Sequence, residues 1–253
     1  MKLDKLSQDD FIKVSNRLVR SLTRGKTISS KPKAILLGGQ SGAGKTTIHR
    51  IKQREFQGNI IVIDGDSYRS FHPNYLTLQE KYGKDSVNYT KVFAGQMVEY
   101  LVDELSKQGY HLLIEGTLRT TEVPRKTAQL LTARGYQVSL ALIATKPELS
   151  YLSTLIRYEE LYAIDPSQAR ATPKTHHDGI VGHLVGNLRE LEKEELFRQI
   201  QIYQRDQSCV YDSQVDEISA AEVLHECLFG KWNTVEKEML KVGQERLREL
   251  GDN

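Results

Sequence analysis

The chain has 253 residues, 39% of them apolar and 27% charged, with a formal net charge of +2. That length is enough for one large α/β domain with a full core, and the near-neutral charge without a long basic tract argues against a function that draws its affinity from nucleic-acid phosphates. No apolar run reaches the roughly 18 residues of a membrane span and no leader pattern occurs over 1–20, so a cytoplasmic protein is expected. Cys209 and Cys227 stand alone, without Cys-x-x-Cys or zinc-ligand spacing, and read as reduced structural residues.

In chain order, Phe11, Val14, Leu18 and Leu22 carry a helical spacing over 9–22, with basic residues between them. A basic, Ser/Thr-rich loop then leads to a buried strand at 34–37 and a helix over 46–55. Further strands are predicted at 60–63, 112–114, 137–144, 200–205 and 209–212. Helices are predicted at 73–82, 85–107, 123–134, 146–164, 174–196, 220–229 and 235–250, the stops at Gly83 and Gly135 being glycines. The alternation points to a doubly wound, mostly parallel sheet with a helical C-terminal extension, and with the glycine-rich loop after the first strand the expected fold is a P-loop NTPase of the nucleotide-kinase type. No linker divides it. The expected organisation is one kinase domain over 1–253, with an N-terminal helix and basic loop at 1–30, a core at 31–212 and the extension at 213–253.

The loop after the first strand carries the chemistry. Gly39-Gln40-Ser41-Gly42-Ala43-Gly44-Lys45-Thr46 fits G-x-x-x-x-G-K-[ST], a match that arises by chance in about one chain of this length in a hundred. Its glycines let successive N–H groups turn inward around a phosphate, and the helix that follows directs its positive end at the same anion. Residues 39–47, through Thr47, are therefore the expected nucleotide-binding segment. Lys45 is placed on the β- and γ-phosphates and the Thr46 hydroxyl on Mg²⁺.

A phosphate loop alone does not separate a motor, a switch and a kinase. Two acidic strand ends help: Ile63-Asp64-Gly65-Asp66 and Ile114-Glu115-Gly116-Thr117-Leu118-Arg119. Phosphoryl transfer to an alcohol needs a base near the acceptor hydroxyl and a carboxylate near the metal. Asp66 is the candidate base and Glu115 the candidate partner of metal or substrate, the competing role for Asp64 or Asp66 being a helix cap. Arg157 and Arg170 flank a segment with Asp165-Pro166, a lid at about 157–173 that would bring cations to the transferring phosphoryl group. His176 and His177 are adjacent, so they leave a helix on different sides and read as surface or packing residues rather than a metal pair. Leu184, Leu188 and Leu191 read as core, and Glu192–Glu195 as a solvated face.

With Ile156-Arg157-Tyr158-Glu159 and Ala169-Arg170-Ala171-Thr172-Pro173, these motifs together resemble the zeta toxin family of epsilon/zeta toxin–antitoxin pairs, from about residue 21 to 211. The resemblance implies an enzyme that transfers the γ-phosphate of ATP or GTP, with Mg²⁺, to the sugar 3′-hydroxyl of UDP-N-acetylglucosamine and so blocks peptidoglycan synthesis. Carried over by position, it implies Asp66 as base, Lys45, Arg157 and Arg170 as transfer groups, and Glu99, Glu115, Thr117, Arg119 and Thr127 on the sugar nucleotide. Leu118 stands where some members have glycine. The family also implies a small helical antitoxin covering the triphosphate site, in a heterotetramer of two toxins and two antitoxins. The basic N-terminal helix is a candidate for part of that contact. Residue chemistry by itself leaves open a phosphotransferase acting on an antibiotic or nucleoside, a nucleotide-dependent binding module without turnover, and a nucleic-acid end kinase.

Overall fold

Ser7 opens the first helix by accepting a hydrogen bond from the Asp10 backbone N–H at 3.1 Å, one of the donors a helix start leaves unpaired. The structure, a computed structural model, describes residues 3–166 and 169–251. Its elements are α1 (Gln8–Thr23), β1 (Lys33–Gly38), α2 (Thr46–Glu55), β2 (Ile61–Ile63), α3 (Gly65–Tyr68), α4 (Tyr75–Tyr82), α5 (Ser86–Gln108), β3 (Leu112–Glu115), α6 (Glu122–Ala133), β4 (Gln137–Ile143), α7 (Pro147–Ile164), α8 (Lys174–Lys193), β5 (Ile200–Tyr203), β6 (Cys209–Asp212), α9 (Ala220–Phe229) and α10 (Thr234–Gly251).

The strands form one sheet in the order β2-β3-β1-β4-β5-β6, parallel throughout except for the antiparallel edge strand β6. This is the doubly wound, mostly parallel sheet expected from the alternation of strands and helices, with the glycine-rich loop after β1. Both faces of the central strands are covered, which is why they read as continuous apolar runs. Ala34 and Leu36 of β1 join a core with Leu112, Ile114, Leu140 and Leu142, closed by α1, α5, α6, α8 and α9. Ile35 and Leu37 point the other way, to Leu113, Ala141, Ile143 and Ile48 of α2. Each fully buried Leu or Ile contributes about 1.5–3 kcal/mol relative to exposure. Leu184, Leu188 and Leu191 lie in the larger core, as their spacing predicts.

Some boundaries differ from the sequence reading. The fourth helix starts at Tyr75 rather than at Pro73, and α8 ends at Lys193. The short helix α3 has too few residues to carry a periodicity, and Asp64 caps it by accepting from the Asp66 N–H at 3.0 Å. Glu192–Glu195 is a solvated face only in part: Lys193 and Glu195 are exposed, whereas Glu192 and Glu194 are engaged. Glu192 accepts from Ser219 Oγ at 2.7 Å and from the Ala220 N–H at 2.6 Å, and Glu194 pairs with Arg125 of α6. Ser167 and Gln168 of the expected lid lie outside the described residues. Helix α10 packs along α7, with Gly243 against Leu152 and Ile156. Among the described residues no helix is long and apolar enough to cross a membrane.

Candidate functional site

The carboxyl end of β1 turns directly into the phosphate loop, and its neighbours β3 and β4 set what surrounds it. Gly39, Gly42 and Gly44 take φ of +139°, +73° and +101°, the region that resists a side chain. At Gly42 space as well as torsion demands glycine, since a Cβ there would stand 2.0 Å from the Ser150 carbonyl oxygen of α7. The loop is also anchored from within. Gln40 is fully buried and donates through Nε2 to Thr145 O at 2.7 Å and to Ser150 Oγ at 3.2 Å. Ala43 is buried too, and its carbonyl accepts from Thr145 Oγ1 at 2.8 Å. Gln40, Ala43 and the buried Thr47 therefore serve the loop as scaffold and backbone. Ser41 is half-buried, while Thr46 is exposed at the first position of α2.

Lys45 Nζ donates to Gly39 O at 3.1 Å and Gln40 O at 3.3 Å, and lies 3.7 Å from Glu115 Oε1. The sheet register explains that meeting, because Glu115 ends β3 directly beside Leu37 of β1. His49 adds a third group: its Nε2 stands 2.8 Å from Glu115 Oε2, in contact but without hydrogen-bond alignment. His49 was missed from sequence although it follows Lys45 by four residues and so shares its helix face.

Beyond Glu115 opens a cavity of about 810 Å³. Glu99 of α5, Glu115, Thr117, Arg119 and Thr127 of α6 all line it, together with apolar groups such as Val98, Val123 and Leu130. Residues separated in sequence from 99 to 127 are thus brought to one hollow. Leu118 has φ of +54°, a conformation in which glycine is at ease, and its side chain is buried in the larger core. Asn187 of α8 fixes this turn by donating to Leu118 O at 2.8 Å.

Asp66 is not among the lining residues of that cavity. It sits in the first turn of α3, where Arg69 Nε donates to its Oδ1 at 2.8 Å. The Asp66 side chain keeps 72% of its accessible surface; desolvation by the neighbouring chain pushes its carboxyl up, but the Arg69 hydrogen bond and charge, with Arg170 and Lys45, outweigh it and hold the pKa below the usual carboxylate value. Arg170 reaches the same place from the expected lid. Its Nη1 donates to Asp66 O at 2.9 Å and its Nη2 to Tyr75 Oη at 3.0 Å. Arg157 lies exposed on α7. His176 stands near this group: burial lowers its pKa first, the Arg119 charge adds to that, and Asp66 opposes it. His177 is a packing residue, with Nε2 2.8 Å from the buried Ser150 Oγ.

Among the described residues no cluster of three His, Cys, Asp or Glu side chains is placed to hold a metal. Magnesium asks for less, one or two protein oxygens beside phosphate oxygens and water. The Thr46 hydroxyl, at the start of α2, and the Glu115 carboxylate, at the end of β3, are oxygen donors of that kind. Taken together the site offers an anion cradle, a lysine, a carboxylate at the mouth of a hollow and a second, ionised carboxylate among arginines.

Comparison with known proteins fits this geometry. The zeta toxin family model matches residues 19–216. The Toxin PezT of Streptococcus pneumoniae serotype 4 is 68% identical over 250 residues, covering 99% of each chain. A Toxin zeta of Streptococcus pyogenes is 44% identical over 213 residues, covering 83% of this chain and 74% of its own. Among solved structures, a chain from the PezAT chromosomal toxin–antitoxin system of Streptococcus pneumoniae superposes with a TM-score of 0.94 at 67% identity, over 99% of this chain and all of the other. A chain of the AvrRxo1-ORF1:-ORF2 complex, at 14% identity and a TM-score of 0.59, shares the fold. With its phosphate loop, its acidic strand ends and these relatives, the chain belongs to the zeta toxin family.

Proposed function

We propose that this chain is the toxin of a toxin–antitoxin pair and acts as a kinase, moving the γ-phosphate of ATP or GTP to the sugar 3′-hydroxyl of UDP-N-acetylglucosamine. The observation that carries this reading is the double position of Glu115, 3.7 Å from Lys45 of the phosphate loop and on the wall of the 810 Å³ cavity. A donor on the loop and an acceptor in the hollow meet at one strand end. The loop N–H groups and Lys45 bind and orient the triphosphate; Arg170 and Arg157 add cations for charge that develops on the transferring oxygens. Mg²⁺, when bound through Thr46 and Glu115, supplies further neutralisation of the phosphates. Asp66 takes the proton of the attacking hydroxyl. Its depressed pKa suits late transfer, because that hydroxyl turns strongly acidic only as its oxygen bonds to phosphorus.

The remaining wall residues, Glu99, Thr117, Arg119 and Thr127, are assigned to the sugar nucleotide. Arg119 offers its guanidinium to the diphosphate, and the carboxylates and hydroxyls offer acceptors to the sugar. The PezAT system of the 67%-identical chain is a toxin–antitoxin system, which supports an antitoxin as partner here; we take that partner to be small and helical, with two of each chain in the assembly, as the family resemblance implies. Loss of the acceptor sugar nucleotide would stop peptidoglycan synthesis.

The test is phosphoryl transfer from Mg–ATP to UDP-N-acetylglucosamine read by mass spectrometry, with Asp66→Asn as control. One added phosphate with the wild type and none with the variant is expected. ATP loss without a phosphorylated sugar would discard this acceptor and direct the search to nucleosides and antibiotics.

A further inference from the structure

Arg205, just past the end of β5 and outside every motif, reaches behind the phosphate loop. Its Nε donates to Ala43 O at 3.2 Å, one Nη donates to Gly42 O, and that Nη also donates to Ser153 Oγ of α7 at 2.9 Å. Its stem runs beside Gly44, whose Cβ, if present, would lie 3.5 Å from Arg205 Cγ.

Peptide planarity gives these contacts a consequence for the opposite side of the loop. In a trans peptide the carbonyl and the following N–H point in opposite directions. The Gly42 carbonyl shares its plane with the Ala43 N–H, and the Ala43 carbonyl shares its plane with the Gly44 N–H. Arg205 therefore draws two successive carbonyls outward. The Ala43 N–H is already spent on Gln40 O at 3.2 Å, closing the turn. The Gly44 N–H is left turned toward the concave side, where the phosphates are expected. Thr145 Oγ1 holds the Ala43 carbonyl from a second direction at 2.8 Å, so that plane is fixed by two donors.

The charge matters as well. These bonds of Arg205 all go to neutral oxygens, so no carboxylate among these partners cancels the guanidinium. A carboxylate in its place would oppose the bound anion, whereas an uncancelled cation beside the loop adds to the field that attracts it. Burial draws the guanidinium pKa down from its ordinary value, so the cation is held there against desolvation.

We infer that Arg205 is a positioning residue for the donor nucleotide: it pins the carbonyl side of the phosphate loop so that the Gly44 N–H faces the phosphates, and it lends the loop a second positive charge besides Lys45. The inference rests on the loop binding a nucleoside polyphosphate, and on nothing about the acceptor. Lysine cannot reproduce it, because an ammonium lacks the planar fork that serves both carbonyls.

The experiment measures Mg–ADP and inorganic tripolyphosphate affinity by titration calorimetry on the full chain, for wild type, Arg205→Met and Arg205→Lys. Thermal unfolding is recorded alongside. Arg205→Met is expected to weaken both ligands by the same factor, about tenfold or more, because the loss is felt by phosphate and not by the base. Arg205→Lys is expected to fall between. If Arg205→Met unfolds, Arg205→Lys decides alone through a loss of about threefold. Wild-type affinity in Arg205→Lys, or a loss for Mg–ADP that tripolyphosphate does not share, overturns the inference. Failure of the wild type to bind either ligand overturns the reading of the loop itself, and the inference with it.

Discussion

Lys45 Nζ and Glu115 Oε1 lie 3.7 Å apart at the carboxyl edge of the sheet, one at the start of a helix and the other at the end of the neighbouring strand. Neither is exposed: their side chains retain 12% and 19% of their accessible surface. With its Gly39 and Gln40 carbonyl contacts, the lysine is held over the loop that it serves. Lys45→Met is predicted to leave the fold and lower phosphoryl transfer by about a hundredfold or more, in the range for removal of one transition-state charge partner. It would also weaken Mg–ATP binding, since Lys45 contacts ground-state phosphates too. Parallel measurement of nucleotide affinity and kcat separates the two. A variant with normal affinity and normal rate would remove Lys45 from the site.

Asp66 gives a pH prediction. The carboxylate is the active form of a base, and a pKa below 3.8 keeps it ionised through the neutral range. The rate therefore shows no acid limb from Asp66 between about pH 5 and 8, and falls only as the pH drops through the depressed value. Arg69 supplies the largest lowering influence, while burial acts in the opposite sense. In Arg69→Gln the ion pair that lowers the Asp66 pKa is gone, so the pKa rises and the acid limb of kcat/KM moves up in pH. An unmoved limb would dissociate Asp66 from the observed titration.

Much of this was legible before the structure. The spacing Gly39-x-x-x-x-Gly44-Lys45-Thr46 fixes a strand, a loop and a helix at once, because only that arrangement uses those residue types together. Asp66 and Glu115 were visible because Glu115 closes one short apolar run and Asp66 follows the end of another by three residues, and in a parallel sheet such ends share one edge. What sequence did not show is which groups hold these residues. Arg205 is distant from the loop in sequence, and its role depends on a hairpin end that returns under Gly42. Glu192 looks like part of an ordinary charged stretch until the start of α9 is set against it. Arg69 and His49 were within reach: each follows a chemical residue at a helical interval, Asp66 by three positions and Lys45 by four.

Leu118 sets two energies against each other. Its φ of +54° costs a non-glycine residue about 1–2 kcal/mol, while its side chain is 6% exposed. Removing a buried leucine to alanine costs about 2–5 kcal/mol, so burial wins and both Leu118→Ala and Leu118→Gly are predicted to destabilise. The order is the informative part. Alanine loses the packing and keeps the strained torsion, whereas glycine loses slightly more packing and relieves it. Leu118→Gly should therefore be no less stable than Leu118→Ala in urea unfolding, despite being the smaller residue. The reverse order would mean that the torsion carries no strain.

The loop glycines separate torsional strain from collision. Gly44 has φ of +101°, but a Cβ there would meet Arg205 Cγ at an ordinary 3.5 Å. Gly42 has φ of +73°, and its Cβ would stand 2.0 Å from the Ser150 carbonyl oxygen and 2.8 Å from Thr154 Cγ2. Gly44→Ala thus pays for backbone strain alone, about 1–3 kcal/mol, or roughly 2–6 °C in Tm for a chain of this size. Gly42→Ala adds a clash with the backbone of α7, which cannot yield by rotating a side chain, so the loop or the helix must shift. Its Tm should fall further than that of Gly44→Ala, and nucleotide affinity should fall with it, because the residue displaced, Ser150, also holds Gln40 of the loop through its hydroxyl. Differential scanning calorimetry on the two variants checks this directly. Equal losses would mean that α7 moves away from the loop at little cost, and that the close approach at Gly42 is not what holds the loop in shape.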